Sequence, residues 1–423
     1  MTIYDEAMQM KEELVACRRD LHAHPELAWT EFRTASHVAK SLKALGYEVL
    51  MGDACMKADE MMGVPDKAEL SRAMGRAIKE GADPELVKKM EGGKTGVVGI
   101  MHFAKPGKTV GLRFDMDCLL VEENPTDAHR PTRDGFASTH PGLMHACGHD
   151  GHTAIGLGVA RLIAAHKDEM AGTVKLCFQP GEEGVMGARG MVASGIVDDV
   201  DYFLSGHIGL GNGENNSLVC MTEGFLATSK IDAFFTGKPA HAGANPQNGR
   251  NALLAAAQAS LALHTISRHS DGPSRINVGI LKAGTGRNVI PDNAVIKFET
   301  RGGSTAINEF MEGEARRMIK AAADMYGVTV KMVARGSAAS GNSSPDMGEE
   351  VYEVVKGLGV YSDIEKNHTV SGRVQDHGGK AVYMLYGTEE ASGHHTSEFD
   401  FNEDVLPLSV YTVTELVKHF TNK

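Results

Sequence analysis

Within eight consecutive residues, His145-Ala146-Cys147-Gly148-His149-Asp150-Gly151-His152, the chain sets a thiol, imidazoles and a carboxylate, and Glu182-Glu183 follows further on. Thiolate, imidazole and carboxylate span the soft, borderline and hard ends of metal coordination, a mixture suited to Zn²⁺ or Mn²⁺. The chemistry such a set performs is hydrolysis by metal-activated water.

Cys147 and His149 are two residues apart, so in an extended segment their side chains lean to one side, and a following helix would take Asp150 as its N-cap. A thiolate beside a helix N-terminus and a cation is held in its ionised form. Residues 173–178 read as a strand that runs into Gln179-Pro180-Gly181-Glu182-Glu183-Gly184. Neighbours on extended backbone point opposite ways, which would let one glutamate bind metal while the other acts as general base. His207 ends a further strand, and His394-His395 lies in a Gly-flanked loop with either histidine available as a ligand. Asp115 and Asp117 are candidates to orient a ligand imidazole. A structural cysteine, an exposed acidic turn or a satisfied core histidine would explain each segment by itself. Their joint occurrence favours one metal site. A metal-free hydrolase with Cys147 as nucleophile and His149 as its base is one rival, and a non-catalytic binding protein is another.

The elements that must position these groups follow from periodicity. Apolar residues recur at helical spacing over about 5–22 and 30–46, with Gly46 placed to end the second helix. His22 and His24, in the loop between them, read as packing or capping residues. The polar, Met-rich stretch 51–91 reads as a helical insertion. From 97 onward strands at 96–100, 110–114, 173–178 and 202–205 alternate with a helix at 153–165, the rhythm of an α/β sheet with helices on both faces. The Gly156-Leu157-Gly158 run lies inside that helix, so it is no dinucleotide fingerprint. Between 223 and 334 the order is β-α-β-β-α-β, a ferredoxin-like unit inserted into a larger domain made of 1–222 and 335–423.

The 423 residues exceed what one core usually supports. The formal charge of −12, from 43 basic and 55 acidic residues, disfavours nucleic acid or an anionic membrane as partner, so an anionic substrate needs a local basic patch. Six cysteines without a C-x-x-C pair, no apolar signal core and no long apolar span point to a reducing cytoplasm.

Six motifs together resemble the M20 metallopeptidase and amidohydrolase family, in its branch of N-acyl-amino-acid amidohydrolases. They are Arg19-Asp20-Leu21-His22-Ala23-His24-Pro25-Glu26, Asp115-Met116-Asp117, 144–153, 179–184, 237–249 and 395–403, and they span nearly the whole chain. The insertion at 51–91, with 129–138 and 251–258, is similar to the members that hydrolyse aminobenzoyl-glutamate. The resemblance implies that Cys147, His149, Glu183, His207 and His395 bind two divalent ions, Mn²⁺ or Zn²⁺, with Cys147 bridging and Glu182 as general base. It implies that His241 steadies the oxyanion in a partner subunit's site, and that Asn288 and Arg301 hold the substrate carboxylate. The implied substrate is an N-acyl amino acid, aminobenzoyl-glutamate foremost, with hippurate-like or indoleacetyl-amino acids as alternatives. A homodimer through the inserted unit is implied; the alternative is a hetero-oligomer with a homologous second chain. The family's Gly-Ser-Glu-Asp-like motif is replaced here by Ser371-Gly372-Arg373-Val374-Gln375-Asp376-His377, so its glutamate is missing.

Overall fold

Thr2 opens the first helix by a reciprocal cap, its hydroxyl accepting from the Asp5 amide at 3.1 Å. This computed structural model describes residues 1–210, 212–369 and 380–423; the Ser371 to His377 motif, with Arg373, lies outside them. The periodicity over 5–22 resolves into two helices, Ile3–Gln9 and Lys11–Ala23, separated at Met10. A third, Phe32–Ala44, ends before Gly46, whose φ of +86° is the left-handed setting that commonly follows a helix. The insertion holds the helices Lys67–Lys79 and Pro84–Lys89, started by Asp66 and Asp83 side chains that accept main-chain amides. Leu70, Ala77, Leu86 and Val87 from this segment join the same core as Phe32, Val38 and Leu42. At about 1.5–3 kcal/mol for each large apolar side chain fully buried, the insertion is anchored to the core.

The strands, in chain order, are β1 (Glu48–Met51), β2 (Val97–His102), β3 (Lys105–Asp115), β4 (Ala171–Gln179), β5 (Tyr202–Ile208), β6 (Ser217–Glu223), β7 (Ala227–Thr236), β8 (Ser274–Ala283), β9 (Asn293–Gly302), β10 (Thr329–Ala338), β11 (Asp363–Thr369) and β12 (Lys380–Tyr386). The larger unit, Met1–Glu223 with Ser343–Thr369 and the stretch 380–423, is built on an eight-stranded sheet of order β1-β2-β4-β3-β5-β12-β6-β11. The strands β4, β3, β5 and β12 run parallel to one another at its centre. β4 is buried continuously from Val174 to Gln179, as expected of a parallel strand covered on both faces. The helices His149–Ala165 and Val405–Thr421 both pack on β3 and β4.

The second unit carries the antiparallel sheet β10-β7-β9-β8, with the helices Ala252–Leu263 and Thr305–Met325 supplying Ala255, Ala259, Met311 and Ile319 to its core. The element order is ferredoxin-like. It extends from Gly224 to Asn342, beyond the expected end at 334, because β10 stays paired with β7 up to Ala338 opposite Thr228. Among the described residues no helix is long and apolar enough to cross a membrane.

Candidate functional site

The carboxyl ends of β3, β4 and β5 lie side by side, and they deliver Asp115 and Asp117, the 181–184 turn, and His207. In open α/β sheets this rim is where sites are built. The helix that starts at His149 meets the same rim. Its N-cap is Gly148 in a left-handed conformation (φ +92°), not the expected Asp150. Asp150 lies inside the first turn, where its Oδ1 accepts the Gly151 amide at 2.9 Å and its Oδ2 is taken by Arg18 and His22, each at 2.8 Å.

Two imidazoles are oriented by what their other nitrogen does. His207 directs Nδ1 to the Ile208 carbonyl at 2.7 Å, leaving the Nε2 lone pair 3.4 Å from the Cys147 sulfur. His149 directs Nδ1 to the Asp117 carbonyl at 2.9 Å, and its buried Nε2 has no hydrogen-bond partner. Around that nitrogen lie oxygens of Asp115 at 3.7 Å, Glu183 at 3.8 Å and Glu182 at 3.9 Å. A second nitrogen held by a carbonyl is the usual way proteins fix a metal-binding histidine.

Glu182 and Glu183 do not point opposite ways. They sit in a turn rather than on extended backbone, and both carboxylates converge on His149. The turn is held from below: Asp117 accepts the Glu182 amide at 2.9 Å and the Glu183 amide at 3.0 Å. Glu31, fully buried, accepts the preceding Gly181 amide at 2.9 Å. Asp117 thus orients His149 through its main chain and the two glutamates through its carboxylate. Asp115 pairs with Arg113 at 2.8 Å and with His152 Nδ1 at 2.5 Å, while His152 Nε2 accepts the Ile208 amide. Glu31 and His152 carry no assignment from the sequence. His152 was visible in the ligand run, whereas nothing around Glu31 marks it.

The electrostatics are those of a site that expects cations. Burial pushes the Cys147 thiol well above its ordinary value, with the Glu183 charge adding to the effect. Burial and the neighbouring Glu183 push Glu182 up to about 7. Burial works against Glu183, yet the hydrogen bond from His395 and the charge of His149 bring it down to about 2. His207 is held well below the usual imidazole range by burial, with His152 and His394 beside it.

His395 takes a left-handed backbone (φ +65°) that a non-glycine residue rarely adopts, with its amide on the Ala146 carbonyl at 2.7 Å. Its Nε2 lies 3.4 Å from Glu183. His394 instead directs Nε2 to the Ile208 carbonyl at 3.2 Å and Nδ1 toward Glu390 at 3.6 Å. Of the adjacent pair, His395 faces Glu183. Among the described residues four donor sets result, each with its ligand atoms within 4.8 Å of one another: Cys147 with His149 and His207, Cys147 with Glu183 and His395, Asp115 with His149 and His152, and His149 with Glu182 and Glu183. The orphaned His149 Nε2 and the mixed sulfur, nitrogen and oxygen donors fit divalent transition ions.

The remaining sequence candidates lie in the second unit. His241 Nδ1 accepts the Gly243 and Ala244 amides at 3.1 and 3.0 Å, which leaves Nε2 as the protonated, donating nitrogen. Asn288 is brought beside it, its carbonyl accepting the Ala242 amide at 3.0 Å. Arg301 is held by Glu299 through Nε at 2.8 Å.

A mixed α/β sheet that gathers imidazoles, a thiol and paired glutamates at the ends of its central parallel strands, with a ferredoxin-like unit inserted in the chain, defines a hydrolase built around a candidate metal centre. The chain belongs to peptidase family M20/M25/M40, which it matches over residues 111–419. It is 47% identical over 422 residues, 97% of each chain, to the indole-3-acetyl-aspartic acid hydrolase of Enterobacter agglomerans. It is 46% identical to one subunit of the p-aminobenzoyl-glutamate hydrolase of Escherichia coli K12, over 95% of this chain and 94% of that one. The crystal structure of an aminobenzoyl-glutamate utilization protein from Klebsiella pneumoniae superposes with a TM-score of 0.84 at 37% identity, covering 99% of this chain and 98% of that one.

Proposed function

We propose that the chain is a metal-dependent amidohydrolase that releases an acidic amino acid from an aromatic acyl group, with aminobenzoyl-glutamate as the preferred substrate. The observation that carries this is the convergence of four overlapping donor sets, two sharing Cys147 and three sharing His149. Two divalent ions, Mn²⁺ or Zn²⁺, would be held by Cys147, His149, Glu183, His207 and His395. When bound, such ions polarise the scissile carbonyl and acidify water.

The chain's own residues supply the proton transfers. Glu182, lifted to about 7, can take a proton from the attacking water near neutral pH and hand it to the departing amine nitrogen. His241, whose Nε2–H is left free to donate, is assigned to the oxyanion in a partner subunit's site, where charge develops only in the transition state. Asn288 and Arg301 are assigned to the substrate carboxylate. The relatives at 46–47% identity differ in the acyl group their names carry but share an acidic amino acid, which supports that substrate class. The burial of Cys147 (7% exposed) among His149, His207, Glu183 and His395 favours a ligand over a nucleophile, because a nucleophilic cysteine must be accessible to its substrate.

The second unit is assigned as lid and dimerisation domain. β8 is a sheet edge with Ile280 and Leu281 exposed, and the helix Ala252–Leu263 exposes Leu254 and Leu261. A homologous second chain could occupy the same surface. The six unpaired cysteines suit a reducing cytoplasm.

The test is turnover of aminobenzoyl-glutamate, benzoyl-glycine and indoleacetyl-aspartate, with metal content measured on the same sample. Activity lost on chelation and restored by Mn²⁺ or Zn²⁺, highest on the acidic substrates, is expected. Full activity of the metal-free chain would refute the reading.

A further inference from the structure

The strands β8 and β9 place Arg275 directly opposite Arg301, and Asn277 directly opposite Glu299. Ile276 and Thr300, the alternate residues, are buried, with Ile276 in the core under the helices. The four polar side chains therefore share the other face of the sheet. Like charges directly opposed across a strand pair destabilise it. Glu299 pairs with Arg301, whose Nε and a terminal nitrogen both bond its Oε1, at 2.8 and 2.7 Å. Among the described residues neither Arg275 nor Arg268 has an ion-pair partner. These groups line one concavity together with Ser274. Among the described lining residues three arginines stand against one glutamate, in a chain whose net charge is −12.

We propose that this concavity is a dicarboxylate subsite, in which Arg275, with Arg268 beside it, reads the side-chain carboxylate of an acidic amino acid next to the carboxylate clamp at Arg301. The proposal rests on the substrate class given above and names the residues that set it. A guanidinium grips a carboxylate with two parallel hydrogen bonds, and a neutral amide of the same shape cannot accept both. Arg275 and Arg268 are accordingly specificity-determining residues: they discriminate glutamate from glutamine without touching the reacting carbonyl.

The experiment compares kcat/KM for benzoyl-glutamate and benzoyl-glutamine on the full-length, metal-loaded chain. Binding of glutarate and of its monoamide is measured beside it by calorimetry. Wild type is expected to favour the acid in both measurements. Arg275→Gln should cut that preference at least ~10-fold, through KM of the acidic substrate, the size expected from losing a hydrogen bond to a charged group. Arg275→Lys, which keeps the charge without the fork, should fall between. Arg317→Gln, which removes a guanidinium paired with Glu314 on the helix Thr305–Met325, should leave the preference unchanged. An unaltered preference in folded Arg275→Gln would overturn the proposal, as would equal binding of glutarate and its monoamide by wild type. Glutarate selectivity that Arg275→Gln abolishes, in a chain that hydrolyses no acyl amino acid, would uphold the subsite and refute the hydrolase reading instead.

Discussion

Arg18, with no solvent exposure, donates its Nε to Asp150 at 2.8 Å, one position beyond His149. The same guanidinium reaches Asp400 at 3.0 Å and Glu403 at 3.2 Å, on the segment that follows His395. The Phe401 ring closes over it at 4.4 Å. One buried side chain thereby fastens two of the segments that carry candidate ligands. Arg18→Met would remove the one fully buried charge that Asp150, Asp400 and Glu403 share, leaving them to His22, Arg130 and Arg19, and removing one partner of a buried ion pair is destabilising by about 3–5 kcal/mol. Urea unfolding should register that loss, and Mn²⁺ titration of the folded variant should show weakened binding. Wild-type values in both would show that Arg18 is a bystander.

The same network sets the response to acid. Against the opposing effect of burial, Arg18, Arg130 and His22 hold Asp150, Asp400 and Glu123 below the ordinary carboxylate range. The unfolded chain binds protons near pH 4, before the folded one does, so this stabilisation is complete above about pH 5 and drains away as pH falls through the depressed values. His22 runs the other way. Carboxylates on both ring nitrogens raise it despite burial, so its contribution is complete below about pH 6.5 and is lost as pH rises through the folded value. Urea midpoints measured from about pH 8 to about pH 3 should peak in the mildly acid range. Asp400→Asn should flatten the acid limb, and an unchanged limb would place the titrating groups elsewhere.

Metal stoichiometry separates the histidines. Cys147→Ala removes the sulfur donor shared by two of the donor sets, so dialysed protein should retain less than one ion per chain by elemental analysis. His395→Gln should lose one ion, whereas His394→Gln should keep both, because the His394 ring is committed to Ile208 and Glu390. The opposite ranking of the two histidine variants would reverse the ligand assignment.

Which parts of this arrangement are legible in the sequence follows from how local their causes are. Cys147, His149 and the paired glutamates announce themselves by residue type, and β3, β4 and β5 by apolar runs bounded by turns. The N-cap expected of Asp150 fails because left-handed Gly148 opens the helix two residues earlier, and Asp150 instead ties the first turn to Arg18, 132 positions away. The opposed directions expected of Glu182 and Glu183 fail because Asp117 draws both amides into a turn, another contact between distant segments. Glu31 has no signature: it reads as an ordinary glutamate before a helix until the fold sets it under Gly181. β11, Asp-Ile-Glu-Lys-Asn-His-Thr, is an exposed edge strand with no apolar alternation to mark it. β12 is the converse, an apolar run at the sheet centre that periodicity cannot tell from a buried helix.

The division of labour between the adjacent glutamates is the sharpest chemical claim. Both carboxylates come near His149, but Glu183 is paired with His395 and held low, while Glu182, buried beside that charge, is raised. A carboxylate ionised at every working pH suits a ligand, and one poised near neutrality suits a base. Glu182→Gln keeps the side-chain shape and the main-chain bonds to Asp117, so the turn and the metal content should survive. Turnover should not: kcat should fall by ~10²-fold or more with little change in KM, the scale of removing a general base. Glu183→Gln should first lower metal occupancy, with activity partly recovered at high Mn²⁺. If the two variants behave alike in metal content and in kcat, the carboxylates share one role, and the base must be sought elsewhere on the rim.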